Sequence, residues 1–391
     1  MRSLSRVGLS AITSATMAIA TFPIIVFSVL AADLIEEFSV TRFQVGILVT
    51  ATGLVGSLVS PTFGRVTDRV GAVTSTRAVL ALGLATLIGL ALSPTYLMLV
   101  TASLLTGVPN GWSNPATNAL IVENMPIGQR GMVTGIKQSG VQVGTFLGGL
   151  LLPPLALKWG WRLAVVSFVV IPTVALFGLR KHRDSHREPR GHHEGRGPLP
   201  TSVKWVALYG TLSGVASSAM FGFFPLFAEE DQLWTPWAAG FMIAVIGLTG
   251  IAARITWPTV SERRLGHGLT LRLLALLSTA SAVLLALAAS DVVGSWTLVP
   301  AALLLGAGAI AWNAVGMLAV MDFTPASLVG RGTGLVLLGF LLGLAGGAPL
   351  LGLSVDLTGT YLPGWLGAAA LLATCAAIAG RIPSRGTLDP A

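Results

Sequence analysis

The sequence predicts an all-α membrane protein with twelve transmembrane helices in two pseudo-symmetric six-helix bundles. Three observations support that fold class. Charged residues make up 10% of the 391 positions and the apolar set AVILMFWYC makes up 53%, whereas roughly a quarter of a soluble domain is charged. One long polar stretch, Arg180–Lys204, divides the chain into flanks of 179 and 187 residues, both almost wholly apolar. The second flank also repeats the first.

The divider reads RKHRDSHREPRGHHEGRGPLPTSVK and holds seven basic residues and four of the five histidines. So polar a segment cannot bury enough apolar surface to offset the entropy of ordering it, and it is expected to be a mobile, solvated linker. The expected organisation is an N-terminal bundle over 1–179, a basic linker over 180–203 and a C-terminal bundle over 204–391. The formal charge of +8 lies in short loops between apolar segments. That is the pattern of topology signals rather than of a nucleic-acid footprint. Cys375, the single cysteine, lies in an apolar segment, which excludes a disulfide framework or a thiolate metal site.

The N-terminus is basic and then apolar, like a secretory signal, but its apolar stretch over 7–32 exceeds an h-region of about 7–15 residues. It is read as the first membrane helix, not removed. A span needs about 20 apolar residues, and further segments follow over 43–63, 74–93, 96–122, 131–154 and 162–179. In the second flank they run over 204–228, 238–257, 270–290, 296–320, 332–354 and 362–380. Twelve spans put both termini on the linker side. Loops on that side hold 19 Lys or Arg and the opposite loops three, Arg42, Lys158 and Arg162. The positive-inside rule then makes the linker and termini cytoplasmic in a multi-pass protein of the cell membrane.

The repeat shows in register. At an offset of 194, Gly53, Gly56, Asp68 and Arg69 meet Gly247, Gly250, Glu262 and Arg263. At 199, Gly107, Asn114, Glu123 and Pro126 meet Gly306, Asn313, Asp322 and Pro325, and Gly140, Gly144 and Gly148 meet Gly339, Gly343 and Gly347. Six spans return the chain to its starting side, so the halves share one topology. Transporters built from two such halves bind substrate near the midplane.

The loop after the second span, Gly64-Arg65-Val66-Thr67-Asp68-Arg69-Val70-Gly71, resembles the G-x-x-x-D-R-x-G signature of the major facilitator superfamily. A weaker copy, Ser261-Glu262-Arg263-Arg264-Leu265-Gly266, lies in the corresponding loop of the second half, with one extra residue and Pro258 at the first glycine position. The resemblance implies alternating access by rocking of the two halves, with helices 1, 4, 7 and 10 lining the cavity. The family's efflux signature carries a Gly-Pro pair in helix five. Here Gly148 is followed by Gly149, which weakens drug antiport.

Charges near helix ends can pair in one conformation only. Gly64, Asp68, Arg69, Gly71, Glu262 and Arg263, with Glu123 and Arg130, are therefore candidate latch residues. Lys137 lies about 10 Å beyond Arg130 along a helix. At that depth a lysine costs about 2.5–3.5 kcal/mol on insertion scales and must face a cavity or a partner. It shares a face with Gly140, Gly144 and Gly148. It is the candidate for attracting an anionic substrate, against a snorkelling lysine or one paired with Glu123. Asn110, Asn114 and Asn118 form one polar stripe. Asn114 and its repeat equivalent Asn313, which follows Trp312, are candidate ligand contacts. Gln138, Gln142, Tyr209 and Arg254 complete the substrate-binding candidates, with packing or gating as the alternative for each. No carboxylate lies deep in any span, which argues against proton coupling through one.

All histidines are placed in loops, and neither HExxH nor GxSxG occurs, so no catalytic, metal or cofactor site is expected. The expected function is secondary transport of a small polar solute, an organic or inorganic anion, by a monomer in the lipid bilayer. Efflux of amphipathic compounds and a transporter-like receptor without transport are the alternatives. A coupling ion is left open.

Overall fold

The fold is described from a computed structural model covering residues 5–126, 130–184, 197–325 and 328–383. Arg6–Val29 (α1) starts on the side chain of Ser5, which accepts from Gly8 N, and the short Ala31–Phe38 (α2) follows. Then come Arg42–Val70 (α3), Ala72–Ala91 (α4), Tyr96–Asn124 (α5) and Arg130–Trp159 (α6). The sixth span is two pieces, Trp161–Ser167 (α7) and Val170–Leu179 (α8). Pro172 cannot donate to the carbonyl of Phe168, and Ile171 N takes it instead at 3.1 Å, so the last α7 turn tightens. Thr201–Glu230 (α9), Pro236–Val260 (α10) and His267–Ala289 (α11) begin the second half. Its tenth span is broken into Leu298–Ala307 (α12) and Trp312–Phe323 (α13), followed by Val329–Thr358 (α14) and Leu362–Ala379 (α15).

Among the described residues, eleven helical stretches are long and apolar enough to cross a membrane. The twelfth span is α5, with 29 residues, whose asparagine stripe dilutes its apolar character. The chain divides into two compact units. Thr41–Gly46 belongs to the second and Pro236–Ala244 to the first. In the first, α1 packs along α6 and against α5, and α4 packs along α5. In the second, α9 packs along α14, and α11 along α15.

The signature is not a loop. Residues 64–70 are the last turns of α3, and only Gly71, at φ +93°, makes the turn into α4. The copy also ends on a left-handed glycine, Gly266 at φ +76°. Its extra residue is absorbed because Ser261–Leu265 winds as a π-helix, a wider turn that accommodates an insertion.

Both ends of the linker make contact with helices. Residues 201–203 already belong to α9, and Arg331 Nη1 of α14 donates to Gly197 O at 2.9 Å. Asp184 caps α4, accepting from Val73 N at 2.6 Å and from the N–H and hydroxyl of Thr74. Arg77 of α4 returns two bonds, to Leu179 O at 2.6 Å and His182 O at 2.7 Å. Residues 185–196 lie outside the described residues. A carboxylate at orphan N–H groups of a helix start contributes about 1 kcal/mol. Asp184→Ala is therefore expected to lower thermal stability by about that amount, read as a drop in the unfolding midpoint of the purified protein. A side chain at Gly71 would be strained by its φ of +93° and would displace the capping carboxylate. A Cβ would sit 2.2 Å from Asp184 Cγ.

Candidate functional site

The polar centre of the first unit is built by α5 and α6. Lys137 on α6 is fully buried. Its Nζ donates to Asn114 Oδ1 at 3.0 Å and to Asn118 Oδ1 at 2.7 Å, both on α5. Gln138 Nε2 donates to the same Asn114 oxygen at 3.4 Å. The ion pairs among the described residues are Arg42–Glu230, Arg42–Asp356, Arg162–Glu37 and His267–Asp322. Lys137 belongs to none of them, so the Glu123 pairing considered from sequence is not formed. Asn110, one turn before Asn114, donates instead to Ala20 O of α1 at 3.2 Å, which ties α5 to α1. Along the same side of α6 as Lys137, the glycines meet α1. A Cβ on Gly140 would lie 2.2 Å from Ser14 O, and Ser14 Oγ donates to Ile136 O at 2.9 Å. Gln142 is buried, and its Oε1 has no partner among the described residues.

The second-half candidates are placed as follows. Tyr209 and Trp312 pack together in an apolar core, centroids 5.6 Å apart, with Tyr209 Oη donating to Leu271 O at 3.0 Å. Arg254 Nε donates to Ile310 O at 3.2 Å and Trp257 Nε1 to Ala307 O at 3.0 Å. These are carbonyls beside the α12–α13 break, and backbone freed inside a membrane needs such partners. Asn313 is half-buried and makes no hydrogen bond among the described residues.

Of the latch candidates, Asp68, Arg69, Glu262 and Arg263 are exposed and Glu123 is half-buried. The side chain of Arg130 lies outside the described residues. The hydroxyls beside these charges are anchored differently in the two halves. Trp112 Nε1 donates to Thr67 Oγ1 at 2.8 Å, whereas Ser261 Oγ meets His267 Nδ1 at 2.9 Å and His267 Nε2 meets Asp322 Oδ2 at 2.7 Å. His267, assigned to a loop from sequence, is buried and opens α11. Its neighbours in sequence give no hint of a partner 55 positions away.

A second cluster, on the side opposite the linker, was missed entirely. Arg42 Nε donates to Glu230 Oε2 at 2.9 Å, and Tyr361 Oη donates to the same oxygen at 2.7 Å. Burial and then the Glu230 carboxylate hold the Tyr361 phenol above its ordinary range, so it remains a donor. Asp356 accepts from the backbone N–H of Arg42 (3.2 Å) and Phe43 (2.9 Å), capping α3 from α14. Asp356→Ala is expected to destabilise by about 1–2 kcal/mol, more than Arg42→Gln, because it leaves backbone donors unpaired. Thermal unfolding of the two variants side by side tests that order.

This architecture is that of a membrane transport protein built from two repeated six-helix halves. The chain belongs to the Major Facilitator Superfamily, whose profile matches residues 9–348. Among solved structures, the nucleoside transporter NupG superposes with a TM-score of 0.78 at 12% identity, covering 96% of this chain and 99% of that one. A bacterial homolog of the human lysosomal transporter Spinster, in an inward-facing and occupied conformation, superposes with 0.74 at 16% identity, covering 99% and 98%. An uncharacterized MFS-type transporter of Methanocaldococcus jannaschii is 21% identical over 149 residues, 37% of this chain and 38% of its own length. The multidrug resistance protein MdtG of Erwinia billingiae is 26% identical over 145 residues, 37% of this chain and 34% of its own. The match thus spans little more than a third of either relative.

Proposed function

We propose that this transporter moves a small anionic solute by alternating access, with Lys137 supplying the charge that selects it. The observation behind this reading is the buried ammonium held by amide oxygens, with no carboxylate at ion-pairing distance among the described residues. A lysine kept at that depth without a counterion costs several kcal/mol, and an anionic solute offsets the cost. Asn114 and Asn118, with Gln138 and Gln142, supply hydrogen bonds in the first half. Asn313 has the matching role in the second, with Trp312, Tyr209 and Arg254 shaping its surroundings. Gly64, Asp68, Arg69 and Gly71, with Glu262, Arg263, Glu123 and Arg130, form the conformational latch on the linker side. That side is cytoplasmic by its charge bias, and the working unit is a monomer in the cell membrane.

The partial likeness to a protein named for multidrug resistance supports a second reading, efflux of amphipathic compounds. A thermal-shift panel on the purified protein separates the two, since a ligand that binds only the folded state raises its stability. Stabilisation by small organic or inorganic anions supports the first reading. Stabilisation by amphipathic compounds alone overturns it in favour of the second.

A further inference from the structure

We infer that Lys137 works through Asn114 and Asn118, and that the two amide NH₂ groups, not the ammonium, touch the anion. This deepens the anion reading and rests on it. The ammonium is sealed: Lys137 has 0% of its surface exposed, while Asn118 is exposed and Asn114 half-buried. The amides therefore lie between the charge and the open face of α5.

Their orientation follows from donor and acceptor chemistry. An ammonium can only donate, so each amide must turn its oxygen inward. Gln138 Nε2 fixes Asn114 the same way. Both Nδ2 groups are thereby turned away from the lysine, and neither has an acceptor among the described residues. A chain of bonds from an ammonium through an amide oxygen polarises the N–H groups beyond it. The lysine so presents its charge as two oriented donors one helical turn apart. Side chains at that spacing lie about 5–6 Å apart at Cβ, which suits an anion with two or more acceptor oxygens, such as a carboxylate or phosphate. The alternative, two hydrated asparagines that merely pack α5 on α6, predicts no ligand effect from either amide.

Lactate and inorganic phosphate serve as probes, with affinity read from ligand-induced thermal shifts of the full-length protein. Asn118→Ala uncovers the ammonium. The amide role predicts at least a tenfold weaker Kd for whichever probe the wild type binds, whereas direct lysine contact predicts an unchanged or tighter one. Lys137→Gln can still donate to the two oxygens and should retain more affinity than Lys137→Met. Direct charge contact predicts equal loss. Unfolding midpoints report folding of each variant, and Asn118→Asp, which pairs with the lysine and removes the NH₂, should fold yet bind neither probe. Unchanged or tighter binding by Asn118→Ala overturns the inference and leaves the anion reading standing. A wild type indifferent to both probes, with sulfate as a third, overturns the reading and the inference together.

Discussion

Lys137→Met is expected to reduce anion uptake into proteoliposomes by at least about a hundredfold while leaving the unfolding midpoint unchanged or higher. The two effects have one cause. Burying an ammonium costs several kcal/mol that hydrogen bonds to neutral amides only partly return, and methionine fills a similar volume without that cost. Asn118 is exposed and Asn114 half-buried, so their oxygens can find other donors once the lysine is gone. A residue retained for packing shows the opposite pattern, with stability lost and activity following it. A charge retained for a solute costs stability and supplies function. Uptake within threefold of wild type would remove the reason for assigning an anion to this protein.

Much of this site is local and therefore readable. Asn114 and Asn118 are one turn apart on α5, and Lys137 is the one charged residue between Arg130 and Lys158, so helical spacing and burial cost were enough to single them out. That the three are bonded to each other depends on how α5 and α6 face one another, which spacing along a single helix does not contain. The same limit explains what was missed. Asp184 reaches α4 from 111 positions away, Asp356 caps a helix 313 positions earlier, and His267 finds Asp322 across α11 and α13. Each carboxylate looks in sequence like an ordinary loop or helix-end charge. The short helix α2 was hidden because its acids, Asp33, Glu36 and Glu37, read as loop. The π-helical turn was legible in part: an extra residue before Gly266 has to go somewhere, and the widened turn is where it went.

The repeated glycines support the last expectation, that equivalent positions carry unequal costs. On α14, Gly343→Ala should destabilise by about 1–3 kcal/mol, because its Cβ would lie 2.2 Å from Thr211 O and 2.9 Å from Val215 N of α9. Both are backbone atoms that cannot rotate away, and close approach of two membrane helices depends on such small residues. Gly334→Ala on the same helix meets nothing within 4 Å and should stabilise by about 0.5–1 kcal/mol through lost unfolded-state entropy. In the first half the counterpart of Gly343 is not the expensive position. Gly144, the counterpart of Gly343, would place a Cβ 3.4 Å from Ala18, ordinary contact, whereas Gly140 would place one 2.2 Å from Ser14 O. Gly140→Ala should then behave like Gly343→Ala, and Gly144→Ala should be tolerated. Unfolding midpoints of the four variants in detergent decide the matter. If Gly140 and Gly144 respond alike, α1 and α6 meet in a different register from the one described. If the order holds, duplication preserved the glycine stripe while the counterparts Gly144 and Gly343 came to bear unequal helix contacts.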